Sequence, residues 1–483
     1  MTLPAHFTDM ILRTFGTAEG TSLLASLECG ATTSVRINRQ KISTLPSTPS
    51  LWSHLPMADD VPWCDDGRYL QGRPSFINDP LLHAGTYYVQ EAASMFLHTV
   101  LRQYVGKPAL MLDLCAAPGG KATLARTALP EGSLLIANEP VHRRANILLE
   151  NIQKWGHPDC MVTQNMPEDY SRSGLLFDVI LCDAPCSGEG MFRKEPVAIE
   201  QWSADYVDTC AARQRDILAH AWHCLREGGL LIYSTCTLNR LENEDNIRWM
   251  TSTYGAETLP VSVDDAWNIS PSVDTDACRH AYRFLPHRTR GEGLFMAVLR
   301  KGSTGSTSQS HDTDINPLLY MKNTTSQRHR QKSKATAKGF TDSEQATLHS
   351  WLRQGDAFDI LPMDDTAVAL RRQWMPLLQR IRQHLHLLGA GIVLATRKGN
   401  TLVPHQGLAM STQLRQKVFD TCSIDTTLAL SYLRAESTQL PADTPKGFIL
   451  LLYNGVPLGF VKNLGNRANN LYPQHWRIRK SGS

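Results

Sequence analysis

No apolar run in this chain approaches the roughly 18 residues that a membrane-crossing helix needs. The opening stretch MTLPAHFTDMILRTFG also lacks the apolar core of a secretory signal, so a reduced, cytoplasmic setting is expected. Paired C-x-x-C motifs and His/Cys clusters at zinc spacing are absent. The eleven cysteines are scattered and odd in number, which argues against a disulfide framework, and Cys182 with Cys186 is a lone pair read as no metal site. Bulk charge of one sign is missing too: with a net charge of +3, any nucleic-acid surface must come from local clustering of Lys and Arg. Neither the dinucleotide spacing G-x-G-x-x-G nor a phosphate loop is found at the one glycine pair that follows an apolar run, since Lys121 precedes Ala122 rather than Ser or Thr.

What remains is ordinary globular material, 42% hydrophobic and 20% charged over 483 residues, enough for two to four domains with a large core. The chain is organised around MLDLCAAPGGKATL, Met111 to Leu124. An apolar run ends in an acid, a small-residue loop carries Pro118 and the pair Gly119–Gly120, and a helical pattern opens at Lys121. A strand that stops at a glycine turn and feeds a helix makes a nucleotide-type cofactor site, because free amides of the first helical turn face the ligand. Alone it says no more than an α/β cofactor site or an ordinary turn.

From Ala109 apolar runs alternate with amphipathic stretches, which predicts a parallel sheet with helical crossovers. Expected strands are Ala109 to Leu114, Ser133 to Asn138, Cys160 to Thr163, Phe177 to Asp183, Gly229 to Ser234 and Leu294 to Leu299. Helices are expected at Lys121 to Ala128, His142 to Trp155, Ala204 to Leu225 and Glu242 to Tyr254. Upstream, Arg36, Arg39 and Lys41 in SVRINRQK either contact phosphates or form a solvated face, and Gln90, Glu91, Ser94 and Met95 are expected on a helix capping the cofactor domain. Downstream, GSTGSTSQS reads as a flexible linker. Met321 to Thr341 then carries six Lys or Arg and no acid, fitting either a solvated tether or an RNA-backbone arm. Helices are expected to about Leu388, followed by short strands near Ile392, Leu402, Phe448 to Tyr453 and Leu458 to Val461.

Three strand ends concentrate the chemistry. Glu139 ends the second strand, where an acid in such a sheet holds both ribose hydroxyls or caps a helix before Pro140. FDVILCDAPCSGEG delivers Asp183 to the carboxyl edge and exposes Cys186. GLLIYSTCTL brings Cys236 to the same edge. Two cysteines flanking one acid beside an adenosine-type cofactor suit methylation at cytosine C5. A thiolate adding to C6 makes C5 nucleophilic, an acid at the N3 and N4 edge takes up electron density, and S-adenosylmethionine donates the methyl.

DLCAAPGGK, LCDAPCSGEG and YSTCTL resemble the NOL1/NOP2/Sun family of RNA cytosine-C5 methyltransferases, and RINRQK, YYVQEAASM and RFLPHRTRGEGLF match its flanking segments. PHQGLAMS, YNGVPLGFVKN and NLYPQHWR are similar to the C-terminal region of its bacterial RsmF branch, which acts on small-subunit ribosomal RNA. The resemblance implies a Rossmann-like α/β methyltransferase with an N-terminal extension and a C-terminal α+β, PUA-like RNA-binding region. The expected domains are an RNA-facing extension (1–75), a catalytic domain (76–301), a flexible basic linker (302–340), an intermediate region (341–403) and a PUA-like domain (404–483).

Carried onto this chain, the resemblance assigns the cofactor to Cys115, Ala116, Ala117, Pro118, Gly119, Gly120, Lys121 and Glu139, with Asp183 between cofactor and cytosine. Asn165 or Met166 stands at the third cofactor position. Cys236 is the expected nucleophile, Cys186 assists product release, and Lys121 orients the methionine carboxylate or the catalytic groups. On local sequence alone Cys186, in a Pro-Cys dipeptide, claims the nucleophile's role as well. A transfer-RNA enzyme of the same chemistry and a non-catalytic ribosome-assembly factor are the rival readings. The protein is expected to act as a monomer on ribosomal RNA, with residues beyond about 302 supplying RNA affinity rather than chemistry. Tyr472 and Trp476 either stack on bases or fill a β core, with Lys462, Arg467 and Arg477 available to phosphates.

Overall fold

A computed structural model describes residues 3–43, 49–276, 278–302 and 339–479. The linker and most of the basic run lie outside them. A kinked helix, Ala5–Leu27, opens the chain and turns at Gly16, whose φ of 77° suits a residue without a side chain. Its apolar residues Phe7, Ile11, Leu23 and Leu27 pack on Phe192, Trp202 and Leu238, beneath the segments that carry Cys186 and Cys236. Four short strands follow: β1 (Ser34–Ile37), β2 (Met57–Asp60), β3 (Gly67–Leu70) and β4 (Tyr87–Val89), in the spatial order β2-β3-β1-β4. A domain division at residue 75 therefore cuts this sheet, since β4 pairs antiparallel with β1. Of the helix expected around Gln90, Ser94 and Met95 lie on a helical turn that runs into the helix Leu97–Tyr104, whereas Gln90 and Glu91 precede it. β4 ends just before Gln90, and Glu91 accepts the amides of Ala93 (2.9 Å) and Ser94 (2.8 Å) to start the short turn at Ala93–Phe96.

The central sheet holds β5 (Leu110–Asp113), β6 (Leu134–Asn138), β7 (Cys160–Thr163), β8 (Phe177–Asp183), β9 (Leu225–Thr235), β10 (Glu257–Thr258), β11 (Ser270–Pro271), β12 (Ala281–Phe284) and β13 (Leu294–Arg300). β5 pairs in parallel with β6 on one side and β8 on the other, so the strand order reverses at β5, where α/β sheets bind ligands outside their carboxyl ends. These strands read as apolar runs because helices cover both faces, and their interior residues are buried on each side. β9 begins earlier than its sequence suggests, running through Gly228–Gly229 from Leu225.

Beyond the undescribed segment the expected helices are present at Asp342–Ser350 and Met375–His384, but two unexpected strands lie between them. β14 (Phe358–Met363) and β15 (Thr366–Arg371) form a hairpin turned at Asp364, which takes a φ of 53°. β16 (Leu387–Ala390) then joins the catalytic sheet, pairing antiparallel with β7. β17 (Ile392–Lys398) and β18 (Thr401–Pro404) complete the sheet β14-β15-β17-β18, and β19 (Asp420–Ile424), β20 (Gly447–Tyr453), β21 (Val456–Asn463) and β22 (Ala468–Asn470) make the last one. Side chains of the N-terminal region, among them Val35, Leu81 and Tyr87, share one core with Leu408, Phe460 and Trp476 of the C-terminal region. Among the described residues no helix is long and apolar enough to cross a membrane.

Candidate active site

The glycine turn after β5 is built as its residue types require. Gly119 has a φ of 113°, and the helix Gly120–Ala128 starts immediately after it. Its first-turn amides lack intrahelical acceptors and face outward. The loop is pinned from behind by the helix His142–Trp155: Arg144 Nη2 donates to the Ala117 carbonyl (3.0 Å) and Asn151 Nδ2 to that of Pro118 (2.7 Å). Ala116 donates its amide to the Asn138 carbonyl at 2.8 Å, and Cys115 is half-buried below, its thiol pushed up by burial first and then by Asp113, Asp183 and Glu139.

Arg36 belongs to this scaffold and not to an RNA surface. It is buried, stacks over the Trp155 ring at 4.2 Å, and donates to Gln90 Oε1 (2.8 Å) and Thr123 Oγ1 (2.6 Å), bracing the start of the helix. Arg39 is engaged by Asp66, and half-buried Lys41 donates to the Ala84 carbonyl at 2.6 Å. Arg36 is committed to the interior and Lys41 to the Ala84 carbonyl, whereas Arg39, though paired, keeps 61% of its side chain exposed.

Glu139, at the end of β6, is 1% exposed; Oε1 accepts the Val141 amide (3.0 Å), and Oε2 has no hydrogen-bond partner, with Arg144 Nη1 at 3.3 Å. An orphaned carboxylate oxygen beside the glycine turn is the acceptor that a ribose hydroxyl would satisfy, so these residues fit an adenosine-type cofactor. The capping role is present as well, through the other oxygen. At the third cofactor position the Asn165 side chain is engaged by the backbone of His386, Nδ2 donating to its carbonyl (3.2 Å) and Oδ1 accepting its amide (2.8 Å). Met166 follows with its side chain exposed.

At the carboxyl ends of β8 and β9 the catalytic candidates converge. Lys121 Nζ lies 2.9 Å from Asp183 Oδ1, which also accepts from Ser234 Oγ at 2.8 Å. Burial opposes the charge on Lys121, yet Asp183 first, then the Cys236 sulfur and Glu91, hold its ammonium above the ordinary lysine range. The Cys186 and Cys236 sulfurs are 3.1 Å apart. The hydrogen bond to Cys236, followed by burial, drives the Cys186 thiol well above its usual value, so it stays protonated at neutral pH. Behind β5, Asp113 is fully buried with neither carboxylate oxygen hydrogen-bonded, and burial, then Asp183, raises its pKa strongly.

Two buried carboxylates that sequence reasoning passed over hold the cysteine loops together. Glu189 Oε2 accepts from Thr237 Oγ1 (2.6 Å) and from the amides of Leu238 (2.7 Å) and Asn239 (2.9 Å), while Oε1 accepts from Trp202 Nε1 (3.0 Å) and Asn239 Nδ2 (2.9 Å). Glu242 accepts from the Ser187 amide (3.0 Å), Gln214 Nε2 (2.7 Å) and Asn239 Nδ2 (2.7 Å). Gly190 donates its amide to the Cys236 carbonyl at 2.7 Å, and a side chain there would collide with that oxygen. The signal was present in the S-G-E-G that follows Cys186, where a lone acid sits between glycines.

In the tail, the core-filling alternative is realised for Tyr472 and Trp476. Both are buried, with Tyr472 edge-on to Tyr432 at 5.2 Å and Lys154 over the Trp476 ring at 5.2 Å. Lys462, Arg467 and Arg477 are exposed.

Three family models match in chain order: the N-terminal domain of 16S rRNA methyltransferase RsmF over 3–92, 16S rRNA methyltransferase RsmB/F over 105–300, and the methyltransferase RsmF PUA domain over 419–478. A Ribosomal RNA small subunit methyltransferase F of Shewanella amazonensis is 29% identical over 91% of each chain, and one of Pectobacterium atrosepticum is 33% identical over 63% of each. The fold is similar to that of a methyltransferase homolog from Pyrococcus horikoshii (TM-score 0.53, 25% identity, 61% of this chain and 94% of that one). It is also similar to that of NSun6 from the same organism, solved with SFG (TM-score 0.53, 21% identity, 62% and 98%).

Proposed function

The chain belongs to the RsmF-type methyltransferases, S-adenosylmethionine-dependent enzymes of small-subunit ribosomal RNA, and from that premise we propose that it forms 5-methylcytosine through a covalent Cys236 adduct. The observation that carries this reading is the meeting of two thiols, 3.1 Å apart, with a Lys121–Asp183 pair at one sheet edge. Residues 115–121 and Glu139 would hold the cofactor, which supplies an electrophilic methyl group when bound.

Cys236 as thiolate adds to cytosine C6, and the ring's π electrons move toward C5 and the N3/N4 edge, where Asp183 accepts from the exocyclic amine. Lys121, held cationic, pairs with Asp183 at 2.9 Å and fixes the carboxylate. After C5 has gained the methyl, a base removes the C5 proton, the double bond re-forms and the C6–S bond breaks. Cys186, held as a thiol against the Cys236 sulfur, then donates a hydrogen bond to the departing thiolate.

One denaturing gel with labelled ribosomal RNA and S-adenosylmethionine tests the assignment. Cys236→Ala is expected to give neither methylation nor adduct. Cys186→Ala is expected to attack and methylate but stall before elimination, so that an adduct survives the gel. Adduct with Cys236→Ala and none with Cys186→Ala would exchange the roles, and label entering purified transfer RNA alone would move the substrate.

A further inference from the structure

The segment after β7 is latched at both ends. Asn165 donates its backbone amide to Asn138 Oδ1 (3.0 Å) and accepts Asn138 Nδ2 on its carbonyl (3.0 Å), and Asn138 immediately precedes the ribose candidate Glu139. Its side chain makes a reciprocal pair with the backbone of His386, Nδ2 donating to the carbonyl at 3.2 Å and Oδ1 accepting the amide at 2.8 Å. The Gln164 amide donates to the same His386 carbonyl at 3.0 Å. His386 immediately precedes β16, the strand that the C-terminal region adds to the catalytic sheet. Asn165 is only 8% exposed, and both polar atoms of its side chain face this partner from 221 residues away.

We propose that Asn165 is a positioning residue: clasped by His386, it fixes residues 164–166 against the adenosine half of the cofactor, so that the C-terminal region forms the outer wall of the S-adenosylmethionine site. The inference rests on the cofactor reading of residues 115–121 and Glu139. The physical logic is preorganisation, because a segment already ordered by buried hydrogen bonds adds no ordering cost when the ligand arrives. Met166, exposed directly after the clasp, then offers an apolar surface to the purine.

Calorimetric titration of the full chain with S-adenosylhomocysteine tests it. Wild type that binds no S-adenosylhomocysteine overturns the underlying cofactor reading. Given binding, Asn165→Ala and His386→Pro, the latter removing the amide donor to Asn165 together with the imidazole, are both expected to weaken it about tenfold, the scale of one or two hydrogen bonds, while His386→Ala, which keeps the amide, is expected to bind as wild type. KM for the cofactor should rise while kcat at saturating cofactor stays near wild type. A direct adenine contact by Asn165 predicts loss in Asn165→Ala and wild-type affinity in His386→Pro, which overturns the clasp. A second readout needs no variant: S-adenosylhomocysteine is expected to slow amide hydrogen exchange across residues 385–391 of wild type, and unchanged exchange there also overturns the proposal.

Discussion

Glu189 sits under the two thiols as a carboxylate surrounded by donors, so removing its charge has a definite sign. In Glu189→Gln an amide NH2 meets the Trp202, Thr237 or Asn239 donors, leaving buried groups unsatisfied. The cost expected for a charge-assisted buried network is on the order of 3 kcal/mol, read as a lowered urea midpoint. Adduct yield on the gel should fall with it, because the Cys236 loop loses its anchor. Glu139→Ala acts on another observable. It removes the orphaned acceptor and is expected to weaken S-adenosylmethionine binding by about 1.5 to 3 kcal/mol, measured calorimetrically. Equal affinities for wild type and variant would take Glu139 out of the site. Strand-end acids and cysteines were legible in the sequence because an apolar run that stops at an acid announces its own edge. Arg36 was not, since a basic residue on a four-residue strand reads the same whether it faces solvent or, as here, Trp155.

Elements that answer to local pattern were also legible. His142–Trp155 and Cys160–Thr163 fall where periodicity puts them. β16 does not, because its Leu387–Ala390 is defined by the edge of β7 rather than by any pattern of its own. The helix Gln406–Met410 next to it offers a pH test. His405 caps it by accepting the Gly407 amide on Nδ1 at 2.9 Å, which requires an unprotonated nitrogen, and burial first, then His475, lowers its pKa to about 4. The unfolded chain takes up the proton near pH 6.5 and the folded chain does not. The contribution is therefore whole above pH 6.5 and is lost as pH falls toward 4. His405→Asn keeps an acceptor without the titration, so wild-type stability is expected to fall more steeply than the variant's between pH 6.5 and 4 in urea melts. Parallel slopes would remove His405 from the balance.

For the whole molecule the RNA contribution of the tail has to be tested on the full chain, because a chain ending near 302 loses β16 and bares Val35, Leu81 and Tyr87. Replacing exposed Lys462, Arg467 and Arg477 by Ala leaves that core intact. The dependence of log affinity on log salt is expected to flatten by roughly 0.7 for each phosphate of single-stranded RNA that is no longer neutralised, in filter-binding titrations at several ionic strengths. An unchanged slope would place the RNA surface elsewhere. The borrowed strand has a further consequence during synthesis. Catalytic strands β5 to β9 leave the ribosome long before Leu387, so β7 waits as an open edge for a partner that pairs across a separation of more than two hundred residues. The newborn catalytic sheet thus carries an unpaired edge, open to strand-to-strand association, until the last third of the chain emerges.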